Sequence, residues 1–216
     1  HPISVNRTLG ATLAFSFPAL LKASMTSLGF PSEQERKNFD QLESSLKPED
    51  NLRVPGSKTT ILKKDHTLMR SKVEEVLQLV EVKDPQLVRC YPVDVPMVPM
   101  AATGTPSKKV FFYSPNFINE NQYLRIIKNE KNWLWRHTPQ QKHQLRTLEG
   151  IIGHEGRHLT NNDPVTATLV AFGSPTLGIA ANLLLKRKLP TIPTGIAYAA
   201  LSWILTSLYM VKAEKR

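Results

Sequence analysis

Two long uncharged runs near the C-terminal end limit the folds open to this chain. Val165 to Leu185 carries no Asp, Glu, Lys or Arg, nor does Leu189 to Val211, and the basic turn Lys186-Arg187-Lys188 stands between them. About 20 apolar residues in a helix cross the ~30 Å hydrocarbon layer, so either run is long enough to span a membrane. Gly173, Pro175 and Gly178 interrupt the first run, while Pro190 and Pro193 delay the second. Two architectures follow: a transmembrane helical hairpin, or a hydrophobic hairpin buried in a soluble protein. The length criterion favours the membrane.

The charge distribution agrees. Of the formal +10, little belongs to the middle of the chain. Pro31 to Pro164 holds 20 basic and 17 acidic residues, and the rest holds 8 basic and 1 acidic. The outer cations, Arg7, Lys22, Lys186, Arg187, Lys188, Lys212, Lys215 and Arg216, lie within or beside apolar stretches, as residues facing lipid headgroups do. A nucleic-acid site needs a basic face with interleaved aromatics, and no such run exists, so a nucleic-acid partner is not expected. Cys90 is the only cysteine, which excludes an internal disulfide and leaves the compartment open. The positive-inside rule favours a cytoplasmic turn at 186–188, but Lys212, Lys215 and Arg216 compete at the far end of the second run.

The chain reads as five segments. Residues 1–32 contain no acid and include the apolar stretch Leu9 to Phe30, interrupted by Pro18 and Lys22: an anchor, an interfacial helix or a targeting remnant. The absent initiator Met points to a processed or excised piece. Residues 33–65 are polar and read as a short helix and a linker with Pro55-Gly56. Residues 66–164 hold a packing helix from His66 to Val82, with Leu68, Val73, Val76, Leu77 and Val80 at helical spacing. Strands follow at Leu87–Val93, Val98–Thr103 and Lys109–Tyr113. Ser114-Pro115 opens a helix expected to run to about Lys131, and Thr138-Pro139 with Gln141 is a capping box opening another. Residues 165–211 are the hydrophobic hairpin and 212–216 a short charged end. The fold class is therefore α+β, mainly helical with a small sheet.

The second capped helix carries the chemistry. Within "GIIGHEGRHLTNND", His154 and His158 stand four residues apart on one face, and Glu155 follows the first. Two imidazoles one turn apart can hold one Zn2+ ion, and a glutamate beside them can take the proton of a water at that ion. The plain alternative is a solvated helix face with two unconnected histidines. Gly156 weakens the helix by about 1 kcal/mol relative to alanine. Beyond His158 there is no His or Cys, and the only acids are Asp163 and Glu214, so a downstream third ligand is one of these two. Asp163, near the helix end, is better placed to hydrogen-bond a ligand histidine than to reach the metal.

These residues resemble the integral-membrane gluzincin family that includes bacterial HtpX and the eukaryotic CAAX prenyl endopeptidase. The family pattern is H-E-x-x-H-x-x-N-x-D, a hydrophobic hairpin, then E-x-x-A-D. His154, Glu155, His158, Asn161 and Asp163 match the first part, and Glu214-Lys215-Arg216 begins the last. "VPMAATGTPSKKVFFYSPNF" is similar to the family's paired strands, and "HTPQQKHQLRTLEGIIGHEGRH" to its entry into the metal helix. The likeness covers roughly residues 66 to 216. It implies a zincin-like catalytic domain with His154, His158 and Glu214 as zinc ligands, Glu155 as general base, and Asp163 and Asn161 around the ligands. Gly156 and Arg157 replace an apolar and a small residue usual in the family, and the family's Ala-Asp has no counterpart before Arg216.

In zincins an extended peptide commonly adds to a sheet edge above the metal helix. Val110, Phe111, Phe112 and Tyr113 form the candidate strand, with an ordinary core strand as the equal alternative. The sequence thus leads to a zinc-dependent endopeptidase acting on membrane or membrane-proximal polypeptides, in contact with lipid, in a bacterial inner membrane or a eukaryotic organelle membrane. The rival is a catalytically silent membrane scaffold that keeps the fold.

Overall fold

The computed structural model describes residues 12, 30–95, 98–105, 108–130, 137–161, 163, 166, 169, 173, 176–179 and 191–214. Most of the N-terminal apolar segment and of the first uncharged run, and all of the 186–188 turn, lie outside them. The chain divides into two compact units, residues 26–162 and a second that includes residues 163–216. The described residues combine helices with small sheets, an α+β arrangement.

The first unit opens with α1 (Glu33–Ser45), started by a capping box in which Ser32 and Glu35 satisfy each other's backbone N–H groups. A hairpin follows, β1 (Asn51–Arg53) antiparallel to β2 (Thr60–Leu62). This corrects the expected polar linker. Leu52 and Ile61 on the two strands and Phe39 on α1 are buried in the hydrophobic core, so the segment is part of the domain. Helix α2 (Lys63–Leu79) then buries Met69, Val73, Val76 and Leu77, with Leu68 and Val80 packed at the core's margin.

Three further strands form one sheet: β3 (Arg89–Pro92), β4 (Met100–Thr105) and β5 (Lys108–Tyr113), in the order β3-β5-β4. β5 runs parallel to β3 and antiparallel to β4. The expected peptide-binding strand, Val110 to Tyr113, is therefore the centre of the sheet. Its backbone is paired on both sides and its side chains are buried, so it offers no edge to an added strand. The outer strands are β3 and β4. Gly104 turns β4 toward β5 at φ +130, and a Cβ there would lie 2.1 Å from the Lys108 carbonyl oxygen.

The single helix expected after Ser114 is two, α3 (Pro115–Glu120) and α4 (Tyr123–Glu130), because Gln122 adopts the left-handed region at φ 54. Thr138 and Gln141 form the expected capping box for α5 (Pro139–Thr160). α5 packs along β4 and against α2 and α4. Leu148, Ile152 and Leu159 are buried on it, and Leu145 and Ile151 pack against the same core.

In the second unit, α6 (Ile192–Glu214) has an inverted arrangement. Its half-buried or buried positions include Thr194, Tyr198, Ser202, Thr206 and Tyr209, while Ile196, Trp203, Ile204, Leu208 and Val211 are exposed. Ile192–Lys212 is long and apolar enough to cross a membrane. Tyr198 lies so close to Gly178 that a Cβ there would sit 2.9 Å from the ring, and its hydroxyl donates to the Gly178 carbonyl.

A buried histidine ties α2 to the sheet. His66 is fully buried, with Nδ1 2.8 Å from the Tyr113 hydroxyl, while Glu43 lies 3.6 Å from Nε2 and pairs more closely with Arg70. Burial, with a smaller push from Arg70, lowers the His66 pKa to about 3. The unfolded chain protonates this ring near 6.5, so between pH 6.5 and about 3 the unfolded state holds the extra proton and stability falls as pH drops. The unfolding free energy of the parent should therefore decline through this window more steeply than that of His66→Gln, by up to about 1.4 kcal/mol per pH unit. Denaturant titrations at a series of pH values measure both slopes, and parallel slopes would exclude His66 as the titrating group.

Candidate metal centre

Three side chains of α5 converge. The Nε2 atoms of His154 and His158 are 3.3 Å apart, with ring centroids 4.8 Å apart and ring planes nearly perpendicular. The ligand atoms of His154, Glu155 and His158 all lie within 4.8 Å of one another. Two nitrogens each at ~2.0–2.1 Å from one tetrahedral ion stand ~3.3 Å apart, so the observed separation is that of two ligands of one zinc. His158 is buried, Glu155 half-buried and His154 exposed, which gives the pair one anchored and one accessible member.

Glu155 has a fixed partner outside its helix. Its Oε2 accepts a 2.9 Å hydrogen bond from the backbone N–H of Ala102, on β4. Since Ser114 donates to the Pro99 carbonyl across the sheet, the antiparallel alternation turns the backbone groups of Met100, Ala102 and Gly104 away from β5. Glu155 thus meets an N–H that the sheet does not use.

The residues around the motif have structural explanations. Gly156 faces α2: a Cβ on it would lie 2.7 Å from Leu77 Cδ2 and 2.9 Å from Val80 Cγ2. Close helix packing, rather than chemistry, accounts for the glycine. Arg157 is exposed, and its carbonyl accepts from the N–H of Asn161, which caps the helix and is itself exposed. Asp163 is buried and accepts a 2.7 Å hydrogen bond from Tyr209 of α6, a residue that sequence reasoning left aside. Glu214 ends α6, and its side chain lies outside the described residues.

A second cluster, of three acids, joins α5 to α2 and α4. Lys72 of α2 is buried, and its Nζ lies 2.8 Å from Glu149, 3.1 Å from Glu75 and 3.1 Å from Glu130. Burial alone would lower its pKa, but the carboxylates of Glu149, Glu75 and Glu130 more than reverse this and raise it well above the usual lysine range. The three acids are held by this ammonium. The signal in the sequence was a lysine between Met69 and Val76 on the buried face of α2.

Comparison of the chain with protein-family models, curated proteins and solved structures returned no match.

Gly150 and Gly156 separate helix propensity from packing within α5. A Cβ at Gly150 meets nothing within 4 Å, so Gly150→Ala should stabilise by up to about 1 kcal/mol. Gly156→Ala should lower stability by up to about 2 kcal/mol, because overpacking of about 1–3 kcal/mol offsets or outweighs the propensity gain of about 1 kcal/mol. Thermal unfolding of both variants beside the parent gives the two signs, and a stabilised Gly156→Ala would mean that α2 yields without cost.

Proposed function

We propose that this chain is a membrane-associated zinc endopeptidase that cleaves membrane or membrane-proximal polypeptides. The observation that carries the reading is the 3.3 Å separation of two imidazole nitrogens one helical turn apart, with a carboxylate beside them. His154 and His158 would hold the zinc. Following the family resemblance, Glu214 is the proposed third ligand, and Asp163, which accepts a hydrogen bond from Tyr209, is the proposed group that orients a ligand. When bound, zinc supplies a Lewis acid that polarises a peptide carbonyl and acidifies water. Glu155 takes the proton of the attacking water at its carboxylate and hands it to the departing amine.

The outer edge of β4 is the proposed peptide-docking edge, in place of β5. Met100 and Gly104 turn their backbone groups outward there, on either side of the Ala102 N–H that Glu155 occupies and beside the helix that carries the histidines, and main-chain pairing at such positions gives affinity with little demand on side chains. The inverted arrangement of α6 supports a lipid environment. In water, apolar side chains gain by facing inward, whereas here Ile196, Trp203, Ile204, Leu208 and Val211 are exposed.

Two measurements test this reading. The purified full chain should hold about one zinc, lost in His154→Ala or His158→Ala, and Glu155→Gln should keep the metal while hydrolysis of fluorescein-labelled casein falls by about 10²–10⁴-fold. A folded chain that binds no zinc would instead support the silent scaffold. Chelator competition then ranks the acids: Glu214→Gln should lose zinc affinity severely, and Asp163→Asn by about 10–100-fold, the effect of removing a group that orients a ligand. The reverse ranking would make Asp163 the ligand.

A further inference from the structure

We infer that the backbone N–H of Ala102 positions Glu155 for proton transfer, so that the base is assembled from two elements, α5 and the outer edge of β4. The inference rests on the zinc-endopeptidase reading. A glutamate on a helix surface has three rotatable bonds, and proton transfer requires its carboxylate within hydrogen-bond reach of the reacting water. Glu155 is held at one oxygen by a 2.9 Å bond from a residue 53 positions away in sequence.

Each end of this bond is fixed by its own framework. On the donor side, β4 is paired along its length with β5, from Met100 opposite Tyr113 to Thr105 opposite Lys108. At Gly104 β4 lies so close to β5 that no Cβ would fit, and Tyr113 is itself bonded to His66. On the acceptor side, Gly156, next to Glu155, lies against Leu77 and Val80, and Glu149 on the same helix is bound to Lys72. A backbone donor cannot swing away as a side chain does. It holds the carboxylate beside the histidine pair without placing a second charge there.

Because the Ala102 N–H points away from β5, it can be removed without breaking the ladder, and proline is tolerated at such edge positions. In the zinc-loaded full chain, Ala102→Pro should lower kcat on fluorescein-labelled casein by about 10–100-fold, with zinc affinity within about twofold of the parent, whereas Ala102→Gly, which keeps the N–H, should retain kcat within about threefold. Replacing Ala102 by lactic acid, which exchanges the N–H for an ester oxygen and leaves the side chain in place, gives the same measurement if the proline variant fails to fold. Parental kcat in the zinc-loaded ester variant would overturn the inference.

A second readout needs neither metal nor substrate. In the metal-free chain, Glu155→Ala should speed hydrogen exchange at the Ala102 amide by about tenfold or more, since that amide loses its acceptor. Unchanged exchange there defeats the positioning role alone. A chain that binds no zinc, or cleaves no casein, defeats the endopeptidase reading, and the inference falls with it.

Discussion

The ammonium of Lys72 is the point on which the helical layer depends. Removing a lysine from water costs several kcal/mol unless its charge is met, and here carboxylates from α2, α4 and α5 meet it at 2.8–3.2 Å. The arrangement works only when all three helices are present together. Glu149 precedes His154 by less than two turns of the same helix, so the junction also fixes the depth at which α5 enters the domain. Hydrophobic packing by Leu148, Ile152 and Leu159 can slide. A charge held by three acceptors cannot, and this is why the histidine pair has a defined place beside β4.

That place is where two kinds of order meet. The histidine pair is a local product, since 3.6 residues per turn bring positions 154 and 158 together whatever the rest of the chain does. The Glu155–Ala102 bond is non-local and exists only if the sheet has the order β3-β5-β4 and α5 lies along its outer strand. Gly156 makes the approach of α5 to α2 possible, and the close contacts at Leu77 and Val80 leave no room for a side chain. The glycine that weakens the helix as a helix is what allows it to sit where it does.

What could be read in the sequence follows the same division. The capping boxes at Ser32 and Thr138 were within reach because their bonds span three residues, although only the second was identified. The stripe on α2 and the motif spacing were legible for the same reason. The hairpin at residues 51–62 was missed because three-residue strands carry too short an alternation to stand out from a polar segment. The break at Gln122 was missed because a glutamine in the left-handed region has no signature of its own. Val110 to Tyr113 was legible as a strand, but whether it lay at an edge or in the core stayed open between equal alternatives, since strand order depends on partners distant in sequence. Lys72, Ala102 and Tyr209 were overlooked as partners for one reason: each acts through a residue more than 40 positions away, or, for Lys72, chiefly so.

Among the described residues no strand pairs with the outer edge of β4, and such an edge is a hazard, because another strand with N–H and C=O groups to offer can join it. The outer edge of β4 carries small residues and no charge of its own from Met100 to Thr105, the composition least able to repel a second copy. Glu155 changes this. Its carboxylate on the Ala102 amide sets a negative group at the middle of the edge, and a neighbouring chain that displaced it would have to bury or strip that charge of its partner. The group read here as a proton acceptor therefore also guards the fold against joining its own kind.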